Sequence, residues 1–505
     1  MKQNSKIIKF CDLAKVKKQK AALCHGHFNI LHPGHIRYLK NASQQGERLI
    51  VSIISDRNLQ DSGYSNLYSQ KERASSVSSL EIVDQVILLK NETLTDVIKK
   101  ISPSTLVLGK EFEVERFDEV EEAVKLCLKN GVKVVFHAGD IQYASSKFLH
   151  STQSDLEKEQ IKIFRDSCRK NQLTAKSLLQ SINSLEKSSI LVIGDTIVDR
   201  FVACDAEGMS SEAPVIVARE LDTQYFVGGA AIVALHAKRL GANCHFISVT
   251  GSDKSREFLE ENLYKEKVSY FLAEDYSRPT TLKTRYTIDN QKMFRVSRLI
   301  KKPLSENIEN QILKEIQLKA KAVDAIIVSD FVYGVITPRV LEEISRIAKA
   351  QNILLIGDLQ CSSQIGNISK FKNFDLLTPT EKEARIAIGS SDEGIEWVSN
   401  QLIAKTNCKH LIAKLGSDGL IAYTCHSSSR KRQYFPALNS NPLDTAGAGD
   451  SLLACAACSL SVGQTLEEAA AIGTLVASLV VGNLGNIPVY KDQLLEYLME
   501  VLHES

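Results

Sequence analysis

This 505-residue chain lacks several things, and each absence removes a class of protein. It has no excess charge of one sign: 62 Lys+Arg stand against 60 Asp+Glu, a formal net charge of +2. A whole-protein field for nucleic acid or anionic membrane is thereby excluded, and no RNA- or DNA-reading motif accompanies the lysines at 15–20. It has no uninterrupted apolar stretch long enough for a bilayer; the one ending near Val480 is broken by Ser, Thr and Gly. Residues 1–10 alternate Lys with Ile and lack the apolar core of a signal peptide. It also lacks a disulfide framework: the 11 cysteines are odd in number and scattered. Cys455 and Cys458 have CxxC spacing, but within a small-residue run that reads as a packed helix, without a second CxxC or a His pair to complete a zinc site. The expectation is a soluble, cytoplasmic protein with no nucleic-acid or membrane partner.

What is present is material for packed cores: 44% hydrophobic residues and 24% charged, in a length suited to about two to four domains. Two segments alternate strand and helix patterns. The first, over 20–149, has a short strand at 21–24, a continuous apolar run at 49–54 and further strands at 106–108 and 132–136. Helical spacing occupies 35–42 and 120–129. A polar, helical stretch follows to about 189. The second segment has strands at 190–193, 325–328, 353–356 and 411–413, and closes with a long Ala-rich helical region over 451–481. Both segments predict α/β folds with parallel sheets and ligands at the carboxyl ends of the strands. The expected division is 1–150, a helical connector over 151–185, and 186–505.

The first chemical signal is His25-Gly26-His27-Phe28-Asn29-Ile30-Leu31-His32-Pro33-Gly34-His35, between a strand and a helix. Four of the 11 histidines fall in this stretch. Imidazoles flank a Pro-Gly turn, and the following helix aims its amides and dipole at the same point, an arrangement suited to phosphate. The second signal is Asp444-Thr445-Ala446-Gly447-Ala448-Gly449-Asp450-Ser451, opening the Ala-rich helix. Small residues there expose successive backbone N–H groups, an anion hole for a transferring phosphoryl group, and Asp450 stands where a carboxylate takes a proton from an attacking hydroxyl.

The first stretch resembles the GxFDxxHxGH signature of the cytidylyltransferase-like nucleotidyltransferases, and the likeness covers about 150 residues. It implies a Rossmann-like domain in which His32 and His35 stabilise charge at the α-phosphate of a nucleoside triphosphate, ATP or CTP. Gly26 and Phe28 belong to the same nucleotide-binding stretch, Arg73 aligns with a phosphate-contacting arginine, and Ser145 and Ser146 with a phosphate-cradling turn. The chain departs from that pattern at Asn29, at Leu108, and in the 61–68 loop, where cations are expected.

The second stretch resembles the ribokinase-like (PfkB) carbohydrate kinases, which implies an α/β domain with a small β lid. In that resemblance Asp450 is the catalytic base and Gly447, Ala448 and Gly449 form the anion hole. Asp199, Gly228 and Gly229 approach the sugar, Glu383 organises Mg²⁺ and phosphates, and Lys414, Gly416 and Gly419 line the nucleotide. Likeness to the heptose-phosphate kinase half of bifunctional heptose kinase/nucleotidyltransferases adds Lys283, Arg285, Gln291 and Arg295 as contacts for a sugar phosphate. Departures are Ile232 after the Gly-Gly-Ala-Ala run, Tyr333 and Gln360 where lysines stand, and Thr380 for Asn. Here the nucleotidyltransferase half precedes the kinase half, the reverse of the familiar order.

The resemblance implies that ATP phosphorylates the anomeric hydroxyl of a sugar phosphate, and that nucleotidyl transfer to the sugar 1-phosphate follows with release of pyrophosphate. The product would be an ADP- or CDP-heptose-type sugar for surface polysaccharide such as lipopolysaccharide, made by a homodimer joined through the kinase domain. The alternative is a working kinase carrying an N-terminal nucleotide- or sugar-phosphate-sensing module.

Overall fold

The computed structural model describes residues 6–15, 20–29, 31, 33–61, 68–109, 112, 116, 118–136, 153–213, 215–288, 291–360, 366–390, 393–425 and 430–502. The chain divides into two compact units, one of residues 1–152 with 390–398 and one of 153–389 with 399–505. Among the described residues no helix is long and apolar enough to cross a membrane.

The first unit is built on a six-stranded, all-parallel sheet of β1 (Ile7–Lys9), β2 (Ala21–Gly26), β3 (Arg48–Ile53), β4 (Gln85–Leu88), β5 (Thr105–Leu108) and β6 (Lys133–Phe136). Their order is β1-β4-β3-β2-β5-β6. The central strands are buried on both faces, which is why 49–54 reads as an unbroken apolar run rather than an alternating one. After β2 the chain winds outward through β3 and β4, then returns to the other side of β2 for β5. That reversal opens a crevice at the carboxyl ends of β2 and β5, where the histidine stretch begins.

The second unit has a nine-stranded sheet of β7 (Ser189–Gly194), β10 (Asn243–Thr250), β11 (Ser269–Glu274), β14 (Ala325–Asp330), β15 (Leu354–Leu359), β16 (Leu376–Leu377), β17 (His410–Lys414), β18 (Leu420–Cys425) and β19 (Arg430–Phe435). The order is β11-β10-β7-β14-β15-β16-β17-β18-β19, parallel through β17 and antiparallel thereafter. A separate four-stranded sheet, β13-β12-β8-β9, forms the lid, from β8 (Thr196–Met209), β9 (Ile216–Gly229), β12 (Thr281–Ile288) and β13 (Gln291–Arg298). The lid pairs β12 with β8 in parallel and the outer strands antiparallel.

Helices cover the main sheet with small and aliphatic faces: Ala230, Ala231, Ala454, Ala457, Ala470 and Ala471 are all fully buried in one core. The Ala-rich C-terminal region, read as one helical stretch, is two helices, Ala448–Ser461 and Leu466–Val481. Gly463, at φ +81°, breaks the first, and Thr465 caps the second through a reciprocal bond with Glu468. The polar stretch over 151–185 forms helices Gln153–Lys170 and Ala175–Ser184, which place Phe164, Cys168, Leu178 and Ile182 in this same core. The Phe164 ring meets Phe435 of β19 at 5.8 Å. Its polar composition belongs to the exposed faces of helices whose apolar stripes are buried.

Candidate phosphoryl-transfer and nucleotidyl-transfer sites

In the second unit the helix Ala448–Ser461 starts at Gly447, whose φ of +86° suits glycine. A Cβ at Gly447 would stand 1.9 Å from the Asn486 side-chain oxygen, so space as well as conformation requires glycine. No side chain caps this helix. The first-turn N–H groups of Ala448, Gly449 and Asp450 are therefore left for a ligand.

Asp450 sits in that first turn, 6% exposed. Gln360 donates its amide to one carboxylate oxygen at 2.7 Å, and Asn486 donates to the other at 3.4 Å. Burial raises its pKa to about 7, Asp358 and Asp199 add to the rise, and Lys414 and the Gln360 hydrogen bond oppose it. Behind Asn486 stands the buried His236, its Nε2 at 3.3 Å from the Asn486 oxygen. Since that oxygen only accepts, Nε2 carries the proton. Burial holds His236 down to about 4, so the imidazole is neutral at physiological pH and fixes the Asn486 amide.

Opposite lies Lys414 at the end of β17. Its ammonium donates to Asp358 at 2.8 Å, and Thr378 donates its hydroxyl to the same oxygen at 2.9 Å. A Cβ at Gly449 would stand 3.1 Å from the Lys414 Nζ, so the lysine lies against the start of the uncapped helix. Burial works against the charge on Lys414, but Asp358, Glu383 and Asp450 outweigh it and raise the pKa. Glu383 is buried in the first turn of helix Glu381–Ile388, where Thr380 N–H donates to its Oε2 at 2.8 Å in a capping box.

Among the described residues no cluster of three or more His, Cys, Asp or Glu could hold a metal by itself. The site nevertheless fits a Mg²⁺ that retains water and arrives on phosphates. Asp358 Oδ2 is buried without a hydrogen-bond partner, and it shares a neighbourhood with Glu383 and Asp450.

The sugar-side candidates divide. Arg285 pairs with Asp199 across β12 and β8, and a Cβ at Gly228 would press on Asp199 Oδ2 at 2.5 Å. Gly229, at φ +63°, starts the helix Ala230–Arg239 that carries Ile232 and His236, both fully buried. Lys283 is 4% exposed, its ammonium 5.3 Å from the Phe331 ring and 5.4 Å from the Tyr333 ring. Gln291 and Arg295 lie exposed on β13; between them Lys292 reaches Asp444 at 2.9 Å, joining the lid to the glycine loop. Gly416 (φ +64°) and Gly419 (φ +89°) shape the turn between β17 and β18. Asp330 pairs with Lys370.

In the first unit, His25 at the end of β2 is buried, with Nδ1 at 2.9 Å from the Ser52 hydroxyl. Burial and then the neighbouring His27 push it down to about 4. Asn29 N–H donates to His27 Nδ1 at 3.2 Å, which leaves Nε2 of His27 as the protonated nitrogen. Phe28 turns the chain at φ +48° with its side chain buried, and a Cβ at Gly26 would stand 3.1 Å from its ring. That ring lies 5.2 Å from His35, which opens the helix Pro33–Ser43. The His27 and His35 rings meet edge-on at 6.4 Å, so the two imidazoles share one wall.

Arg73 differs from its expected role as an open phosphate contact. It is 1% exposed, and its guanidinium donates to the carbonyls of Tyr68, His27 and Ile54 and to Asp56 at 2.8 Å. It reaches the site by fixing the backbone at His27, because the helix Gln70–Ser78 points it inward beneath the turn. Leu108 is fully buried at the end of β5. His32, Ser145 and Ser146, the lysines at 17 and 18, and 62–67 of the loop expected to be basic lie outside the described residues.

Sequence reasoning missed Gln360 as a partner of Asp450, and also Asn486, His236 and Lys292. A histidine within the apolar run 230–237 of the helix Ala230–Arg239 was the available signal for His236. Asn486 is 250 residues away from it and gave none.

A family profile described as pfkB family carbohydrate kinase matches residues 187–492. The chain belongs to that family. A cytidylyltransferase-like profile matches residues 23–153. The Bifunctional protein HldE of Campylobacter jejuni subsp. doylei is 33% identical over 315 residues, 62% of this chain and 65% of that protein. The Bifunctional protein HldE of Helicobacter hepaticus is 31% identical over 61% of this chain and 63% of its own. The matches thus span just under two thirds of these relatives. Among solved structures, Arabidopsis thaliana ribokinase, complexed with ribose and ATP, superposes with a TM-score of 0.50 at 20% identity, over 62% of this chain and 98% of its own. Escherichia coli phosphofructokinase-2 gives 0.50 at 17%, over 63% and 99%. These structures share the fold of the pfkB family half.

Proposed function

We propose that the chain performs two consecutive transfers in sugar-nucleotide synthesis. The pfkB unit phosphorylates the anomeric hydroxyl of a sugar phosphate of the heptose 7-phosphate type with ATP. The cytidylyltransferase-like unit then transfers a nucleotidyl group from ATP or CTP to the sugar 1-phosphate, releasing pyrophosphate. The observation that carries the first step is Asp450, buried, poised near neutrality, and set in the first turn of an uncapped helix.

In this reading Asp450 accepts the proton of the attacking hydroxyl as the oxygen–phosphorus bond forms. Gln360 and Asn486 hold the carboxylate in place, and neutral His236 holds Asn486. The N–H groups of 448–450 stabilise the equatorial oxygens, which gain charge in the transition state. Asp199, pinned by Arg285, positions the acceptor hydroxyls. Mg²⁺, when bound through the phosphates near Glu383 and Asp358, shields their charge. In the first unit, His35 and His27 present imidazole edges to the α-phosphate, while Arg73 keeps the His27 carbonyl turned away from it.

Sugar phosphates screened with ATP by phosphorus NMR test the first step. A sugar 1-phosphate resonance appearing with ADP is the expected result, and ATP left intact with every acceptor would refute it. A second reading makes the first unit a nucleotide or sugar-phosphate sensor, favoured by Leu108 and by the engagement of Arg73 with backbone carbonyls. Pyrophosphate release from purified protein, sugar 1-phosphate and each triphosphate separates the two, since a sensor binds nucleotide and releases none.

A further inference from the structure

We infer that Lys414 is the cation that contacts the transferred γ-phosphoryl group, in the place that position 360 leaves uncharged. The inference rests on the kinase reading above and assigns one residue of that site. Position 360, beside the base, holds a neutral glutamine whose amide is spent on Asp450 at 2.7 Å. Lys414 comes from β17 and brings its ammonium against Gly449, the neighbour of Asp450 in the chain, and among Asp358, Glu383 and Asp450.

Two features distinguish this lysine from a structural ion pair. A buried pair is weak support for a fold, since apolar residues of similar volume serve as well or better. Moreover, the Asp358 oxygen that Lys414 touches already accepts from Thr378, while the other is buried without a partner. The pair leaves a three-donor ammonium beside an open anion hole, an arrangement that a phosphate oxygen completes, while the unpartnered Asp358 oxygen accepts nothing from a phosphate and is left for the cation the phosphates carry.

In the transfer, the acceptor oxygen bonds to the γ-phosphorus and the bond from phosphorus to the β,γ-bridging oxygen breaks. The hydroxyl proton passes to Asp450, and ADP leaves with the electron pair. Lys414 stays protonated throughout, contacting a non-bridging oxygen.

The test is calorimetric titration of the full chain with Mg²⁺ and either AMP-PNP, which carries a γ-phosphoryl group, or ADP, which does not. Lys414→Met should weaken AMP-PNP by about tenfold or more and leave ADP within about twofold. The first unit is identical in every chain, so any change belongs to the kinase site. Lys414→Gln, which still donates to Asp358, gives the same readout should the Met variant fail to fold. Adding Gln360→Lys to the Lys414 variant should restore part of the lost AMP-PNP affinity. Equal loss of both ligands, or loss of neither, overturns the assignment. A wild-type chain that binds neither nucleotide overturns the kinase reading itself, a separate outcome.

Discussion

On the proposed kinase reading, a single carboxylate trades stability for chemistry. Asp450 is buried with its pKa raised to about 7, so the folded chain binds a proton there that the unfolded chain has released. That contribution to stability is present at low pH and is lost as pH rises towards 7, the reverse of a salt-bridged aspartate. Asp450→Asn removes the ionisation, so the melting temperature at pH 8 should rise, while phosphoryl transfer falls by about a thousandfold or more and ATP affinity changes little. Differential scanning calorimetry beside a coupled ADP assay checks both halves. In the native chain kcat/KM should decline as pH falls through about 7, because only the ionised carboxylate accepts the proton. A flat profile between pH 5.5 and 8 would remove Asp450 from that role.

Elements succeed or fail at their ends here. The helix Ala448–Ser461 begins without a side-chain cap, whereas Leu466–Val481 begins with a full capping box. Gly447→Ala would force φ +86° on a residue with a Cβ and drive that atom into Asn486. A loss of about 2 kcal/mol or more is expected from the strain alone, with kinase activity abolished as Asn486 moves off the base. Thr465→Ala should cost about 1 kcal/mol and leave activity intact, since the hydrogen bonds of that cap join Thr465, Glu468 and Ser181 and none reaches Asp450. Paired urea melts and ADP assays distinguish the two. The helix Glu381–Ile388 lies between these cases, for its capping-box residue is Glu383, the carboxylate expected near the phosphates.

For the whole molecule, two folds with separate cores lie on one chain. Each site is built within one unit, so their activities should be separable. His35→Ala should stop pyrophosphate release and spare ADP formation, and Asp450→Asn should do the opposite when sugar 1-phosphate is supplied. Loss of both activities in either variant would show that the units depend on each other.

The strands at 49–54, 106–108, 190–193 and 325–328 were legible because a strand buried on both faces must be apolar throughout, and local composition records that requirement. The glycine loop and the histidine turn were legible for a related reason: a backbone that turns sharply into a helix start restricts which side chains fit, so the constraint is written in consecutive residues. What surrounds the reacting groups was decided by the tertiary structure alone. Gln360, Asn486 and His236 converge from three distant segments, and hydrogen bonds act across space rather than along the chain. The same holds for Arg73, whose sequence is that of a helix-borne cation and whose place beneath the His27 turn follows from the packing of that helix against the sheet.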